Sequence, residues 1–507
     1  MKAARQIDPA SILRPLNSTR SKVLIVDLNN MATFPTLAVG LLLASLRNAG
    51  FDARLLSPLA HDVPAAERER PDTYADHLVR QLHHATSPPL RLLRDIGRAT
   101  RGAAISRPHP RVLAATAQAL AERPDVLLLS AYLQHYPTVV ELGKLAKAAG
   151  IPMLIGGPMF NVRETADFWR TVPGLTAVVG AEVDVSLPQI VQAVCEGEDL
   201  LQFPGVVLPD GRFSGVAPPL RPLDAAPVPD FTDFPWDRYR VRIIPMMTGR
   251  GCQWNRCNFC SDVISANGRA FRTRSLESVL QEMREQSRRH QTSNFLFLDM
   301  KLNSNPTLFR GLIENVQRNV RGAQWIGTVH VDQRADNGLS RADLRNAAAA
   351  GMRRVSFGLE SGSQRMLDLM DKGSTVESNA RFIRDAEAAG ISVRCTMFMG
   401  YPGETARDLE LTADFLEAHA PFLDRVRCNA FSIQAETPIA KALRETPERF
   451  PSVRVTRTSA RDARTQYVNE GTEDREYRRQ KRRVLAAVYA INRKVVRSSA
   501  RQFDGLM

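Results

Sequence analysis

The sequence predicts an α/β protein made of two alternating units in series. Two observations predict it. Short apolar runs alternate with helical stretches on both sides of a Pro/Asp-dense segment at 204–240, and glycines stop helices in the first unit. A third observation gives the second unit its chemistry: three of the six cysteines stand just after its first strand.

In the first unit, 20–203, Lys22 to Leu28 reads as a strand and Thr36 to Ala49 as a helix that Gly50 ends. Further strands are expected at Asp52 to Ser57, Asp125 to Ala131, Ile151 to Pro158 and Leu175 to Ala181. Helices are expected at Thr138 to Ala149, stopped by Gly150, and at Ser186 to Cys195. Such alternation implies a doubly wound, Rossmann-like parallel sheet, in which ligands sit outside the C-terminal strand ends. The turns Ser130–Gln134 and Gly156–Pro158 are so placed. An insertion at 59–123, rich in His, Arg and Pro, is expected to be helical, and the sequence gives it no role.

Residues 204–240 read as a linker, because PDGRF is a turn signal and Pro and Asp recur through PLRPLDAAPVPDFTDFPWDRY. The second unit, 241–436, has expected strands at Ile243 to Thr248, Asn294 to Asp299, Trp325 to His330, Arg353 to Leu359, Ser392 to Met399 and Arg425 to Ile433. Helices are expected between them, among others Ser275 to Arg289, Arg341 to Ala350 and Thr375 to Ala389. Six such units suggest a partial (β/α)6 barrel with functional groups at the C-terminal strand ends. The last part, 437–507, is expected to end in a helix from about Asp474 to Arg501, with Val484, Val488, Ile491 and Val495 on one face.

Composition bounds the function. A chain of 507 residues with 44% hydrophobic and 24% charged residues is ordinary for a soluble enzyme of two or three domains. The longest apolar run, near Thr36 to Leu46, is too short to span a bilayer, and the first residues have no signal-peptide core. A cytoplasmic location is expected, and the few cysteines fit a reducing compartment. Of the net charge of +14, more than half falls in 451–507, with 14 Lys and Arg against 6 Asp and Glu. Such a tail can steer an acidic partner or be a solvated face.

Cys252, Cys257 and Cys260 have the spacing C-x4-C-x2-C. Structural zinc takes four ligands, and no second CxxC or His pair follows. Three thiolates can hold a [4Fe–4S] cluster with one iron open to a chelating ligand. A zinc site with a distant fourth ligand is the competing reading. Cys195, Cys395 and Cys428 read as small apolar core residues.

The segment GCQWNRCNFC resembles the cluster motif of the radical SAM superfamily. It carries one residue more than the usual C-x3-C-x2-C, and Trp254 is similar to that of some peptide-modifying members. The resemblance covers about Ile243 to Glu436. It implies that S-adenosylmethionine chelates the open iron and that Phe259 packs by the adenine. NFLFLDMKLNS resembles the second barrel strand, ending at Asp299. RVSFGLESGSQRMLDLMDKGS resembles the fourth, where Glu360 and Ser361 match cofactor contacts. RCTMFMGYPGET resembles the fifth, and with it Arg394, Gly400 and Pro402 join the expected S-adenosylmethionine site.

A doubly wound domain ahead of such a core resembles the cobalamin-binding domain of B12-dependent radical SAM enzymes. The resemblance implies cobalamin contacts at Thr36, Ser130, Tyr132, Gln134, Gly156, Gly157, Pro158, Gly180 and Glu182. The His-ligated motif DxHxxG is absent, and GEGE is half matched by Gly180-Ala181-Glu182-Val183. The implied activity is methylation of an unactivated carbon of a peptide or other natural product. A 5′-deoxyadenosyl radical and methylcobalamin would carry it, with a flavodoxin- or ferredoxin-type electron donor. A cyclase or rearrangement enzyme without methyl transfer is the alternative. An Fe–S or zinc nucleic-acid-binding protein fits less well, because the Arg-rich tail lacks interleaved aromatics. No residue is singled out as catalytic.

Overall fold

The computed structural model describes residues 21–506 except 30–32, 66, 67, 69, 262–270 and 333–337. The first sheet contains β1 (Lys22–Asp27), β2 (Asp52–Leu56), β3 (Val126–Ser130), β4 (Met153–Gly156), β5 (Leu175–Val179) and the short β6 (Val206–Val207). Its order is β2-β1-β3-β4-β5-β6, parallel except for β6. The strands are near-continuous runs of Val, Leu and Ile because helices cover both faces. Neighbours of β1 lie on opposite sides of it, so the sheet has its switch point between β1 and β3, where ligands bind in this class of fold.

The second sheet begins with β7 (Ile244–Met246). A two-residue ladder of β8 (Gly249–Arg250) and β9 (Arg272–Thr273) follows and closes the loop that holds the three cysteines. Then come β10 (Asn294–Phe297), β11 (Gln324–Val329), β12 (Met352–Glu360), β13 (Ser392–Met399) and β14 (Arg425–Ala430). The order β14-β13-β12-β11-β10-β7 is wholly parallel and among the described residues its two ends do not pair, which makes a partial six-stranded barrel as expected. Phe295, Phe297, Trp325 and Phe357 are fully buried in these strands.

The C-terminal region departs from the expected long helix. It contains β15 (Ile433–Gln434), β16 (Val453–Ser459) and β17 (Arg464–Asn469) in a small antiparallel sheet. The helix runs Arg475–Asn492 and stops. Asn492 there uses both side-chain atoms on the backbone of Val426, at 2.8 and 2.9 Å. Val484, Val488 and Ile491 are buried, but Val495 lies beyond the helix and is 69% exposed. The chain then passes beneath the barrel. There Phe503 and Leu506 pack on Ile243, Leu296 and Ile326, and Asp504 pairs with Arg425 at 3.0 Å and with Arg354 at 3.6 Å. These arginines stand in the first half of β12 and β14, so the tail seals the barrel's N-terminal end.

The insertion is helical, with helices Tyr74–His83, Pro88–Ser106 and Pro110–Ala121. The first of these lies on the C-terminal helix, where His77 stacks on Tyr489 with ring centroids 4.8 Å apart. Thr86 donates to the Thr472 carbonyl at 3.0 Å, and Arg91 pairs with Glu473 at 2.6 Å. The insertion thus joins the first unit to the far end of the chain. Of the three cysteines expected in the core, Cys395 is buried and Cys428 half-buried, but Cys195 is exposed near the end of its helix.

Candidate active site

A cavity of about 510 Å³ opens at the C-terminal ends of β1, β3, β4 and β5 and is closed from the other side by the barrel. The first unit contributes Thr36, Ser130, Tyr132, Gly156, Gly157, Pro158, Gly180 and Glu182, all expected contacts. The barrel contributes Met247, Gly249, Arg250, Gly251, Leu298 and Met300. Leu37, Leu41 and Leu42 make one wall apolar. Gln134 does not line this cavity: its side chain is exposed, 3.5 Å from His135 Nε2. Gly157 is demanded by the protein itself, since a Cβ there would lie 2.2 Å from the Ala131 carbonyl oxygen. A Cβ at Gly156 would meet its nearest atom at 3.7 Å, so Gly156 leaves room.

Gly251 lines the cavity and Cys252 follows it, so the cavity ends where the cysteine loop begins. The loop is held from the segment after β12. Trp254 Nε1 donates to the Asp371 carbonyl at 2.6 Å, and the Asn258 side chain donates to the Leu369 carbonyl at 2.8 Å. The Asn258 amide donates to the Met370 carbonyl at 3.0 Å. Gly373 (φ 73°) lets Trp254 in, for a Cβ there would sit 2.2 Å from the indole. The extra residue of the C-x4-C spacing is accommodated with Asn255 in the left-handed region (φ 42°), which asparagine tolerates.

Burial pushes the Cys257 thiol up to about 11 against the pull of the nearby Lys372 ammonium. Three thiols in such surroundings become good ligands once a cation compensates them, so the donor set fits an iron cluster. Among the described residues no three His, Cys, Asp or Glu side chains converge on one mononuclear metal position. A cluster does not ask for it, because each thiolate takes a different iron.

Lys372 was not singled out by sequence reasoning. It is buried, donates to Glu360 Oε1 at 2.7 Å and lies 5.8 Å from the centre of the Phe259 ring. Glu360, the thiol groups of Cys257 and Cys260 and its own hydrogen bond hold its pKa above the usual lysine value against burial. We expect Lys372→Met to lower iron retention on desalting at least tenfold, about 1.4 kcal/mol. Retention equal to that of the parent protein would remove Lys372 from the site.

The other expected residues divide. Phe259 packs edge-on against Phe398, 5.0 Å away, and Glu360 stands at the mouth in the left-handed region (φ 58°). Asp299 turns back to the start of the cysteine loop, accepting from the Thr248 amide at 3.0 Å and its hydroxyl at 2.6 Å. Ser361 is bonded inward to Thr412 at 3.1 Å. Arg394 is not brought to the mouth. It is the third residue of β13, buried, with its guanidinium 3.4 Å from Ser356 Oγ.

Gly400 and Pro402 form the turn after β13, and the Gly400 amide donates to Glu404 at 2.6 Å. Glu404 is buried and also accepts from the Tyr477 hydroxyl. Burial raises its pKa from 4.5 to about 7 against the pull of these bonds. The unfolded chain therefore loses this proton near pH 4.5 while the native state keeps it to about pH 7. Stability is expected to fall by roughly 2–4 kcal/mol as pH rises through that window. Glu404→Gln should flatten the slope, and an unchanged profile of unfolding midpoints from pH 4.5 to 7.5 would contradict this.

The two units are clamped by ion pairs at the cavity's edge. Arg272 reaches Glu182 at 2.6 and 2.8 Å, and Arg250 reaches Asp184 at 2.6 and 2.8 Å and Glu182 at 3.4 Å. Glu182, expected as a cobalamin contact, thus spends its carboxylate on the interface while it lines the cavity. Its partners are 90 and 68 residues away, so no local signal announced them.

Residues 246–416 match the radical SAM superfamily, and this part of the chain is a radical SAM domain. An uncharacterised methyltransferase of Pyrococcus horikoshii is 26% identical over 302 residues, 58% of this chain and 64% of that protein. An anaerobic magnesium-protoporphyrin IX monomethyl ester cyclase of Rubrivivax gelatinosus is 27% identical over 48% of this chain and 45% of that one. The matched part thus falls short of two thirds of either relative's length. Among solved structures, the cobalamin-dependent S-adenosylmethionine radical enzyme OxsB with aqua-cobalamin bound superposes with a TM-score of 0.65 at 16% identity. It covers 88% of this chain and 64% of OxsB. The radical S-adenosylmethionine methyltransferase TsrM from Kitasatospora setae, with tryptophan and a SAM analogue, gives 0.63 at 16% identity over 92% and 89%. A TsrM structure with cobalamin and a [4Fe-4S] cluster matches as well. The chain has the fold of cobalamin-dependent radical SAM enzymes over most of its length. No helix among the described residues is long and apolar enough to cross a membrane.

Proposed function

We propose that the chain is a cobalamin-dependent radical SAM methyltransferase acting on an unactivated carbon of a peptide or other natural-product intermediate. One observation carries the reading: a single cavity has the strand ends of the doubly wound sheet on one side and the residues leading into Cys252 on the other. When bound, an Fe–S cluster with S-adenosylmethionine would supply a 5′-deoxyadenosyl radical, and the corrinoid a methyl group.

The protein's part is holding, orienting and drying. Cys252, Cys257 and Cys260 would hold the cluster, with Lys372 compensating their charge. Glu360 and the Gly400–Pro402 turn would receive S-adenosylmethionine, and Thr36, Ser130 and Gly156 would border the corrinoid. Leu37, Leu41, Leu42, Met247 and Leu298 keep the space between apolar, which excludes water from a radical. The Arg272–Glu182 and Arg250–Asp184 pairs fix the separation of the two units, and hydrogen abstraction depends on such separation. A flavodoxin- or ferredoxin-type donor and a cytoplasmic location complete the proposal.

The test is anaerobic reconstitution with iron, sulfide and hydroxocobalamin, then desalting, reduction and addition of S-adenosylmethionine. About four irons, one corrinoid and 5′-deoxyadenosine are expected. A cluster and 5′-deoxyadenosine without corrinoid would overturn the cobalamin part. The cyclase relative favours a second reading, ring formation without methyl transfer. Transfer of label from methyl-labelled S-adenosylmethionine to the product separates the two.

A further inference from the structure

A second cavity, of about 200 Å³, lies at the edge of the barrel mouth between the insertion and the C-terminal region. From the insertion it is lined by His83, His84, Arg91, Arg94 and Arg98, and from the C-terminal helix by Lys481. Its floor is Gly400 and Phe431, at the ends of β13 and β14. Of the residues expected to bind S-adenosylmethionine, only Gly400 lines it. The Phe398 ring lies 5.0 Å from Phe259 of the cysteine loop and 4.9 Å from Phe431 of the cavity floor, and the lining of this cavity shares no residue with that of the first. It is a separate compartment on the flank of the proposed active site.

Its charge is unbalanced. Arg91 pairs with Glu473 and Arg94 with the half-exposed Asp95. Arg98 donates to the His83 carbonyl at 2.8 Å and pairs with no carboxylate among the described residues. Lys481 is only 6% exposed, its amine donates to Thr86 Oγ1 at 3.1 Å, and it makes no ion pair among the described residues. A buried ammonium without an anion is expensive. Burial and the charge of Arg94 accordingly push its pKa down to about 8. The charge of Glu404, a buried acid whose own pKa is raised to about 7, only partly offsets this. Among the described residues the buried Nε2 of His84 has no hydrogen-bond partner either.

We propose that this cavity binds a small anionic group, a carboxylate or phosphate, with Lys481, Arg94 and Arg98 as its cationic contacts. It stands beside the barrel mouth, and nothing in the radical chemistry uses its charges. The anion is therefore assigned to the substrate, which rests on the enzymatic reading above; the binding site itself does not.

The test is calorimetric titration of the reconstituted protein, at low ionic strength, with inorganic phosphate, pyrophosphate and citrate. Saturable binding is expected for at least one, weakening as salt is added. Phosphate or pyrophosphate binding would point to a phosphorylated ligand, and citrate binding alone to a carboxylate. Lys481→Met and Arg94→Gln, each first checked for a parental melting curve, should weaken that binding at least tenfold. Arg407→Gln, on an exposed helix face elsewhere, should not. No binding by the parent protein, or parental affinity in both folded variants, would overturn the site. Neither outcome depends on turnover, so loss of the enzymatic reading with binding intact would leave a binding site for a free anion.

Discussion

Replacing Cys252, Cys257 and Cys260 together by alanine is expected to abolish bound iron and 5′-deoxyadenosine formation while the chain still folds. The argument rests on how the loop is held. Its shape comes from the Trp254 and Asn258 hydrogen bonds to the Leu369–Asp371 backbone and from the β8–β9 ladder. None of these involves sulfur. All three thiols are partly accessible, so their loss opens no core cavity. The wall proposed for the corrinoid lies across the cavity on the other sheet, so corrinoid retention should change little. Iron analysis, the visible spectrum and 5′-deoxyadenosine assay decide the matter. Parental iron content in the triple variant would show that the cluster assignment is wrong.

Arg272→Met is expected to be the most damaging single change at the interface of the two units. Its guanidinium is buried and makes two short bonds to Glu182, and Arg250 stands 3.4 Å from the same carboxylate but is committed to Asp184. Removing one partner of a buried pair costs about 3–5 kcal/mol, because the remaining charge is left desolvated. The urea midpoint should fall accordingly, and corrinoid retention should fall with it, since Glu182 lines the cavity. Adding Glu182→Gln should recover part of the stability, as it removes the orphaned charge. Equal losses in the single and double variants would contradict the ion-pair argument.

Residues close in sequence were the most legible. The parallel strands of the two large sheets fell within a few residues of their expected bounds, because each is a short apolar run between polar turns, whereas the two-residue β6, β8 and β9 were not expected. The three-cysteine loop was legible for the same reason: its donors lie within nine residues. Gln134 and Arg394 were placed by the strand or turn that contains them. Whether a side chain points to the mouth depends on how far along the strand it stands and which way the turn bends. Asp299 was found as a site residue, yet its carboxylate serves Thr248, 51 residues earlier.

By itself the sequence determined the two α/β units, the cysteine loop and its resemblance to radical SAM chemistry. Periodicity, turn residues and ligand spacing are local, and local physics suffices to read them. Only the tertiary structure decided that Lys372 stands behind the thiols, that Arg250 and Arg272 clamp the units, that the tail seals the barrel and that the insertion builds a cationic cavity with Lys481. Each of these joins charges or apolar surfaces from distant parts of the chain. Burial makes such pairings strong, and burial is a property of the folded whole.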